Sequence, residues 1–135
     1  MAQIFISYSK QDIEFARHLR ALLQAAGFEI WMDEERLVPS TKWWRTIEAN
    51  IKSSAAFVVI MSSASAESRW VEREILVAEN ANISIFPVLL SGDGWSRLAD
   101  IQFADFTAAL NATLPPAFGR GLRDTLEGKA VTTTN

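Results

Sequence analysis

The chain has 135 residues, a length that allows one compact domain and little more. Thirteen Lys and Arg against sixteen Asp and Glu leave a formal charge of −3, not the basic surface that bulk electrostatic binding of nucleic acid requires. The absence of cysteine removes disulfides, thiolate nucleophiles and Cys-ligated metal sites, and a single histidine, His18, leaves no His cluster for a metal and argues against a Ser-His-Asp triad.

Apolar runs alternate with helix-period segments from end to end. Gln3 to Ser7 reads as a first strand, and Ser9 with an acid three residues on, Asp12, has the spacing of a capping box. Phe15, Ala16, Leu19, Leu22, Leu23 and Ala26 then recur at helical spacing, with Gly27 placed as a C-terminal stop. His18 falls on the flank of that stripe and is expected to be solvated. Phe28 to Trp31 is a second strand, and Met32 to Lys42 a polar loop containing Pro39-Ser40. A second helix carries Trp44, Ile47 and Ile51 on one side. Ala55 to Met61 is a third strand, continuously apolar as expected when helices cover both faces of a sheet.

Ser62 to Ser65 is a small-residue turn, and a third helix runs from about Ser68 to Ala81. Ile83 to Leu90 is a fourth strand, in which Pro87 forbids one ladder hydrogen bond. Ile101 to Phe106 is a weak fifth strand and Ala117 to Leu126 a last helix, with a polar, frayed tail from Gly128 to Asn135. One domain over residues 1–127 and a flexible tail over 128–135 are therefore expected. No segment approaches the roughly 18 apolar residues that a membrane helix needs, and the N-terminus lacks a basic n-region, so a cytoplasmic location away from membranes is expected.

Strict alternation of strands and helices implies βαβ units and a parallel sheet. Five strands in this length point to an α/β flavodoxin-like, doubly wound sheet of order 2-1-3-4-5 with helices on both faces. Ligands of such sheets sit at the carboxyl ends of the strands where the order reverses, between the first and third. That rule selects Ser7-Tyr8-Ser9 and the stretch from Ser62 to Glu74.

One residue of the third helix does not fit its surroundings. At about 100° per residue, Trp70, Val71, Val77, Ala78 and Ala81 share a broad face, and Glu74 lies near its middle. An inward carboxylate is costly unless it is paired, hydrogen-bonded or open to a cavity. Three readings stand: a buried structural glutamate held by amides or arginine, a helix turned so that Glu74 is exposed, or a functional carboxylate facing the crevice. A lone acid suits few reactions. Ordinary glycoside hydrolysis uses two carboxylates, one of them to protonate the leaving group. A cationic leaving group such as the nicotinamide of NAD⁺ needs no proton, so one carboxylate could hold the ribose and stabilise the developing oxocarbenium charge.

The residues resemble a known family, the TIR (Toll/interleukin-1 receptor) domains, in particular the NAD⁺-consuming bacterial and animal members. Ile4-Phe5-Ile6-Ser7-Tyr8-Ser9 is similar to the family's first box. Trp31-Met32-Asp33, followed by Leu37, Pro39 and Trp43, resembles the BB loop after the second strand, and Ser68-Arg69-Trp70-Val71-Glu72-Arg73-Glu74 resembles the segment that carries the catalytic glutamate. The chain departs from many relatives in Pro39-Ser40, in having only Lys10 as a basic residue after the first box, and in Val71 beside the tryptophan.

The resemblance implies Glu74 as the catalytic residue and Tyr8, Ser9, Asp33, Trp43, Trp70 and Trp95 as substrate-binding residues, with no metal and no cofactor other than NAD⁺ as substrate. It implies an NAD⁺ glycohydrolase or ADP-ribosyl cyclase giving nicotinamide and ADP-ribose or a cyclic isomer. The resemblance further implies self-assembly with other TIR domains through the BB loop, residues 32–42, as the activating step in antiphage defence or cell-death signalling, and a fused sensor domain as a partner. The alternative is a non-catalytic TIR–TIR adaptor or virulence module. Trp31 and Trp44 are assigned to packing. A phosphoacceptor receiver is set aside because Met61-Ser62-Ser63 stands where its aspartate would be, and a flavodoxin because the loop after the first strand lacks a phosphate-cradling glycine.

Overall fold

The computed structural model describes residues 3–33, 41–92, 95, 98, 104–106 and 114–127. In chain order the elements are β1 (Gln3–Ser7), a 3₁₀ turn (Lys10–Asp12), α1 (Ile13–Ala25), β2 (Glu29–Met32), α2 (Thr41–Ser53), β3 (Ala56–Met61), α3 (Ser63–Ala66), α4 (Arg69–Asn80), β4 (Ser84–Leu89), β5 (Ala104–Asp105) and α5 (Pro116–Leu126). The strands form one five-stranded parallel sheet of order β2-β1-β3-β4-β5, the doubly wound arrangement expected from the alternating pattern.

Strand parity sorts the core into two layers. Successive side chains of a strand point to opposite faces. Ile4 and Ile6 of β1, Ala56, Val58 and Ile60 of β3 and Val88 of β4 pack with Phe15, Ala16, Leu19 and Leu23 of α1 and Leu122 of α5. Phe5 of β1, Phe57, Val59 and Met61 of β3 and Leu89 of β4 pack with Ile47 and Ile51 of α2 and Val71, Ile75 and Ala78 of α4. Phe5 stacks between Trp31 and Phe57, with ring centroids 5.1 and 5.5 Å away. Trp31 and Trp44 both pack on this second layer, as assigned.

The helix ends follow local chemistry. α1 stops at Gly27, whose φ of +97° is open to a residue without Cβ. There the amide of Phe28 bonds to the Leu23 carbonyl and that of Gly27 to the Gln24 carbonyl, the pair of bonds of a Schellman motif. α4 ends the same way with Asn82 at φ +59°, its amide on Glu79 and that of Ile83 on Ala78. α4 begins at Ser68, whose hydroxyl accepts from the Val71 amide at 3.2 Å.

Several expectations are corrected. Ser9 caps the 3₁₀ turn, accepting from the Gln11 amide, and α1 starts only at Ile13 with no side-chain cap from Asp12. The Asp12 carboxylate accepts a hydrogen bond from the Ser62 hydroxyl, so a tertiary partner displaces the predicted local one. The small-residue segment after β3 is the short helix α3, held by a reciprocal capping box between Ser62 and Ser65. α2 takes in Thr41 and Lys42, and β5 is reduced to Ala104–Asp105, with 101–103 outside the described residues. His18 is half-buried beside Phe15, with ring centroids 6.3 Å apart, where a solvated residue was expected. The tail 128–135 lies outside the described residues. No helix among those described is long and apolar enough to cross a membrane.

Candidate active site

The carboxyl end of β1 and the middle of α4 meet at the point where the strand order reverses. Val71, Glu74, Ile75 and Ala78 are the buried residues of α4, spaced i, i+3, i+4 and i+7, so a carboxyl group occupies a position that the helix period reserves for an apolar side chain. Glu74 is 0% exposed. The exposed alternative considered from the sequence is thereby removed. Glu72 and Arg73 lie on the exposed face, and the Arg73 guanidinium sits 4.1 Å from the centre of the Trp44 ring.

One partner of the carboxyl group is Ser7. Its hydroxyl donates to Glu74 Oε1 at 2.6 Å, and Ser7 is itself 0% exposed. Parity explains the meeting: Ser7 shares the α2/α4 side of β1 with Phe5, two residues earlier, whereas Ile4 and Ile6 face α1 and α5. A hydrogen bond to a charged group contributes about 1.5–3 kcal/mol, and leaving a buried acceptor without its donor costs a comparable amount.

Tyr8 follows directly and serves the other neighbour. Its hydroxyl donates to the backbone carbonyl of Asp33, just past the end of β2, and both residues are buried. The last turn of chain at β1 is thus tied to α4 through Ser7 and to β2 through Tyr8. Ser9 is also buried, and its hydroxyl accepts from the Gln11 amide in the 3₁₀ turn.

Of the residues singled out from the sequence, Glu74, Tyr8, Ser9 and Asp33 are therefore brought to one end of the sheet around β1. Trp70 is half-buried against the α2/α4 core and meets Trp44 edge-on with ring centroids 5.5 Å apart. Trp95 also packs partly buried on that core. Trp43 lies in the first turn of α2, and its side chain is outside the described residues, as is most of the BB-loop segment, 34–40. Ser7 lies in the segment that the reversal-point rule selects, but has no role of its own assigned from the sequence. The signal that could have found it is its strand parity, combined with knowledge of which face α4 covers; only the first of these is in the sequence. Among the described residues no group of three His, Asp or Glu side chains converges in a way that could hold a metal.

The family model of the TIR domain matches residues 4–118. The chain belongs to the TIR domain family. Among curated relatives, this TIR domain is 26% identical over 112 residues to the NAD(+) hydrolase PdTIR of Paracoccus denitrificans, covering 79% of this chain and 36% of that protein. It is 27% identical over 124 residues to the NAD(+) hydrolase TcpA of a Theionarchaea archaeon, covering 88% of this chain and 36% of that protein. The chain thus spans little more than a third of the length of these relatives. In fold it is similar to the TIR domain of the Toll-related receptor TRR-2 of Hydra magnipapillata, with a TM-score of 0.72 at 20% identity, covering 93% of this chain and 98% of that one.

Proposed function

We propose that this TIR domain is an NAD⁺ glycohydrolase in which Glu74 is the catalytic residue. What supports this above all is a glutamate fully enclosed within an apolar helix stripe, at the sheet's reversal point, hydrogen-bonded to a strand-end serine. A packing role alone is better filled by an apolar side chain, because a buried ion pays a desolvation penalty of several kcal/mol. Relatives named as NAD(+) hydrolases, though of low identity, point the same way.

The bond that breaks joins the anomeric carbon of the ribose to the nicotinamide nitrogen. Its electron pair returns to the pyridinium ring, which leaves neutral, so no general acid is needed. The carboxylate stabilises the positive charge that develops on the ribose, an electrostatic contribution that is largest where water is excluded. Water then adds to the anomeric carbon and releases a proton, giving nicotinamide and ADP-ribose; capture by an atom of the adenine moiety gives a cyclic isomer instead. NAD⁺ is the substrate and no other cofactor is involved. Tyr8, Ser9, Asp33, Trp43, Trp70 and Trp95 are the proposed substrate contacts. Assembly with further TIR domains through residues 32–42 is proposed to activate turnover, in a defence or cell-death setting.

The decisive test is nicotinamide release from NAD⁺ across a range of protein concentrations, wild type against Glu74→Gln. Turnover that depends on Glu74 and rises faster than linearly with concentration is expected. The zero exposure of Glu74 favours a second reading, a structural carboxylate in a TIR–TIR interaction module. A verified assembled form without Glu74-dependent turnover would establish that reading in place of the first.

A further inference from the structure

We infer that Ser7 is a positioning residue for the reaction, fixing the Glu74 carboxyl group in its working orientation; this rests on the enzymatic role proposed for Glu74. A glutamate side chain carries three rotatable bonds, and on a helix facing an apolar layer nothing in Val71, Ile75 or Ala78 can orient its oxygens. The Ser7 hydroxyl does, with a contact of 2.6 Å to Oε1 across 67 residues of sequence. Fixing one oxygen of a planar carboxyl group fixes the direction of the other, Oε2, relative to the sheet.

Ser7 is well suited to the task because it cannot move independently. Its backbone is in register with Val59 of the central strand β3, and the next side chain, Tyr8, is anchored on the Asp33 carbonyl beyond β2. The donor therefore sits at the end of a strand paired on both sides, whereas the carboxyl group it holds is at the end of a side chain with three rotatable bonds. Serine also satisfies the local volume. Phe5 and Phe57 stack 5.5 Å apart one step down the same face, so a long or aromatic side chain at position 7, unlike serine or threonine, would compete with Glu74 for the space in front of β1.

The measurement is steady-state NAD⁺ hydrolysis with kcat expressed per folded molecule, the folded fraction being read from thermal unfolding of each variant. Ser7→Ala should lower kcat roughly 10- to 100-fold, the scale of losing one ångström-level alignment. KM should move less than about threefold, since the interaction matters in the transition state and not in ground-state binding. Ser7→Thr keeps the hydroxyl and should recover much of the lost kcat. A purely structural serine would instead lower the melting temperature and leave kcat per folded molecule unchanged. If Ser7→Ala does not fold, Ser7→Cys, similar in size but a weaker donor, should show the same selective loss of kcat. Full kcat in these variants, while Glu74→Gln is inactive, overturns the role of Ser7 alone. A wild-type protein lacking any Glu74-dependent turnover overturns the enzymatic proposal and this inference together.

Discussion

The two faces of the sheet are built by the same strands and yet differ in kind. Beneath α1 and α5, β1 contributes Ile4 and Ile6 and β3 contributes Ala56, Val58 and Ile60, an apolar layer whose polar groups at the carboxyl rim are uncharged hydroxyls and one half-buried acid: Tyr8 donates to the Asp33 carbonyl and Ser62 to the Asp12 carboxylate. Beneath α2 and α4 an equally apolar layer, from Phe5 and Phe57 to Val71 and Ala78, is interrupted at one end by Ser7 and Glu74. The first face gains its stability chiefly from the apolar area it buries and, among the described residues, holds no fully buried acid. The second gives up an apolar contact at its carboxyl-terminal rim and spends a hydrogen bond to offset the desolvation of a carboxyl group. A polar pair at the reversal point of the sheet, where ligands of this architecture bind, is what the proposed catalytic role of Glu74 accounts for.

Substitutions on the two faces should therefore separate activity from stability. The largest effect is expected from Glu74→Gln, which should reduce nicotinamide release by more than about 100-fold while leaving the melting temperature unchanged or slightly raised, because the carboxylate loses its charge but keeps its volume. A large fall in melting temperature would instead make Glu74 part of the scaffold. On the opposite face, Ile6→Ala should destabilise by about 2–5 kcal/mol in denaturant titrations, with turnover per folded molecule preserved. A change in kcat there would erase the distinction between the faces.

Smaller effects sharpen the boundary between them. If the ring of Trp95 stacks on a substrate base, Trp95→Ala should weaken apparent NAD⁺ affinity by about 1–3 kcal/mol in initial-rate measurements, and an unchanged KM would return it to the core on which it packs. Ser62→Ala removes both the cap of α3 and the donor to Asp12, and should cost about 1 kcal/mol in thermal unfolding with little effect on turnover.

Much of this could be read along the chain. The strand order follows from alternating apolar runs and helical stripes, the Gly27 stop from its place after the stripe of α1, and the oddity of Glu74 from the helical wheel. Where local rules failed, a distant partner had intervened. Asp12 has the spacing of a capping residue, but its carboxylate meets Ser62, 50 residues away, and a hydrogen bond to a folded neighbour outweighs a local cap worth about 1 kcal/mol. His18 looked like a surface residue on the flank of α1 and is half-buried beside Phe15, because burial depends on what packs over that flank. The two-residue β5 carries too weak a periodic signal for its ends to be set from sequence.

The sequence by itself determined the alternating architecture, the apolar content of both layers and the presence of one carboxyl group where the helix period calls for a hydrocarbon. It could not say what that group would touch. The partner was decided by β1 lying between β2 and β3, by the parity that turns Ser7 toward α4, and by the seating of α4 on that face. Periodicity is a local property carried by neighbouring residues, whereas a contact between residues 7 and 74 exists only once the sheet has closed around its central strands.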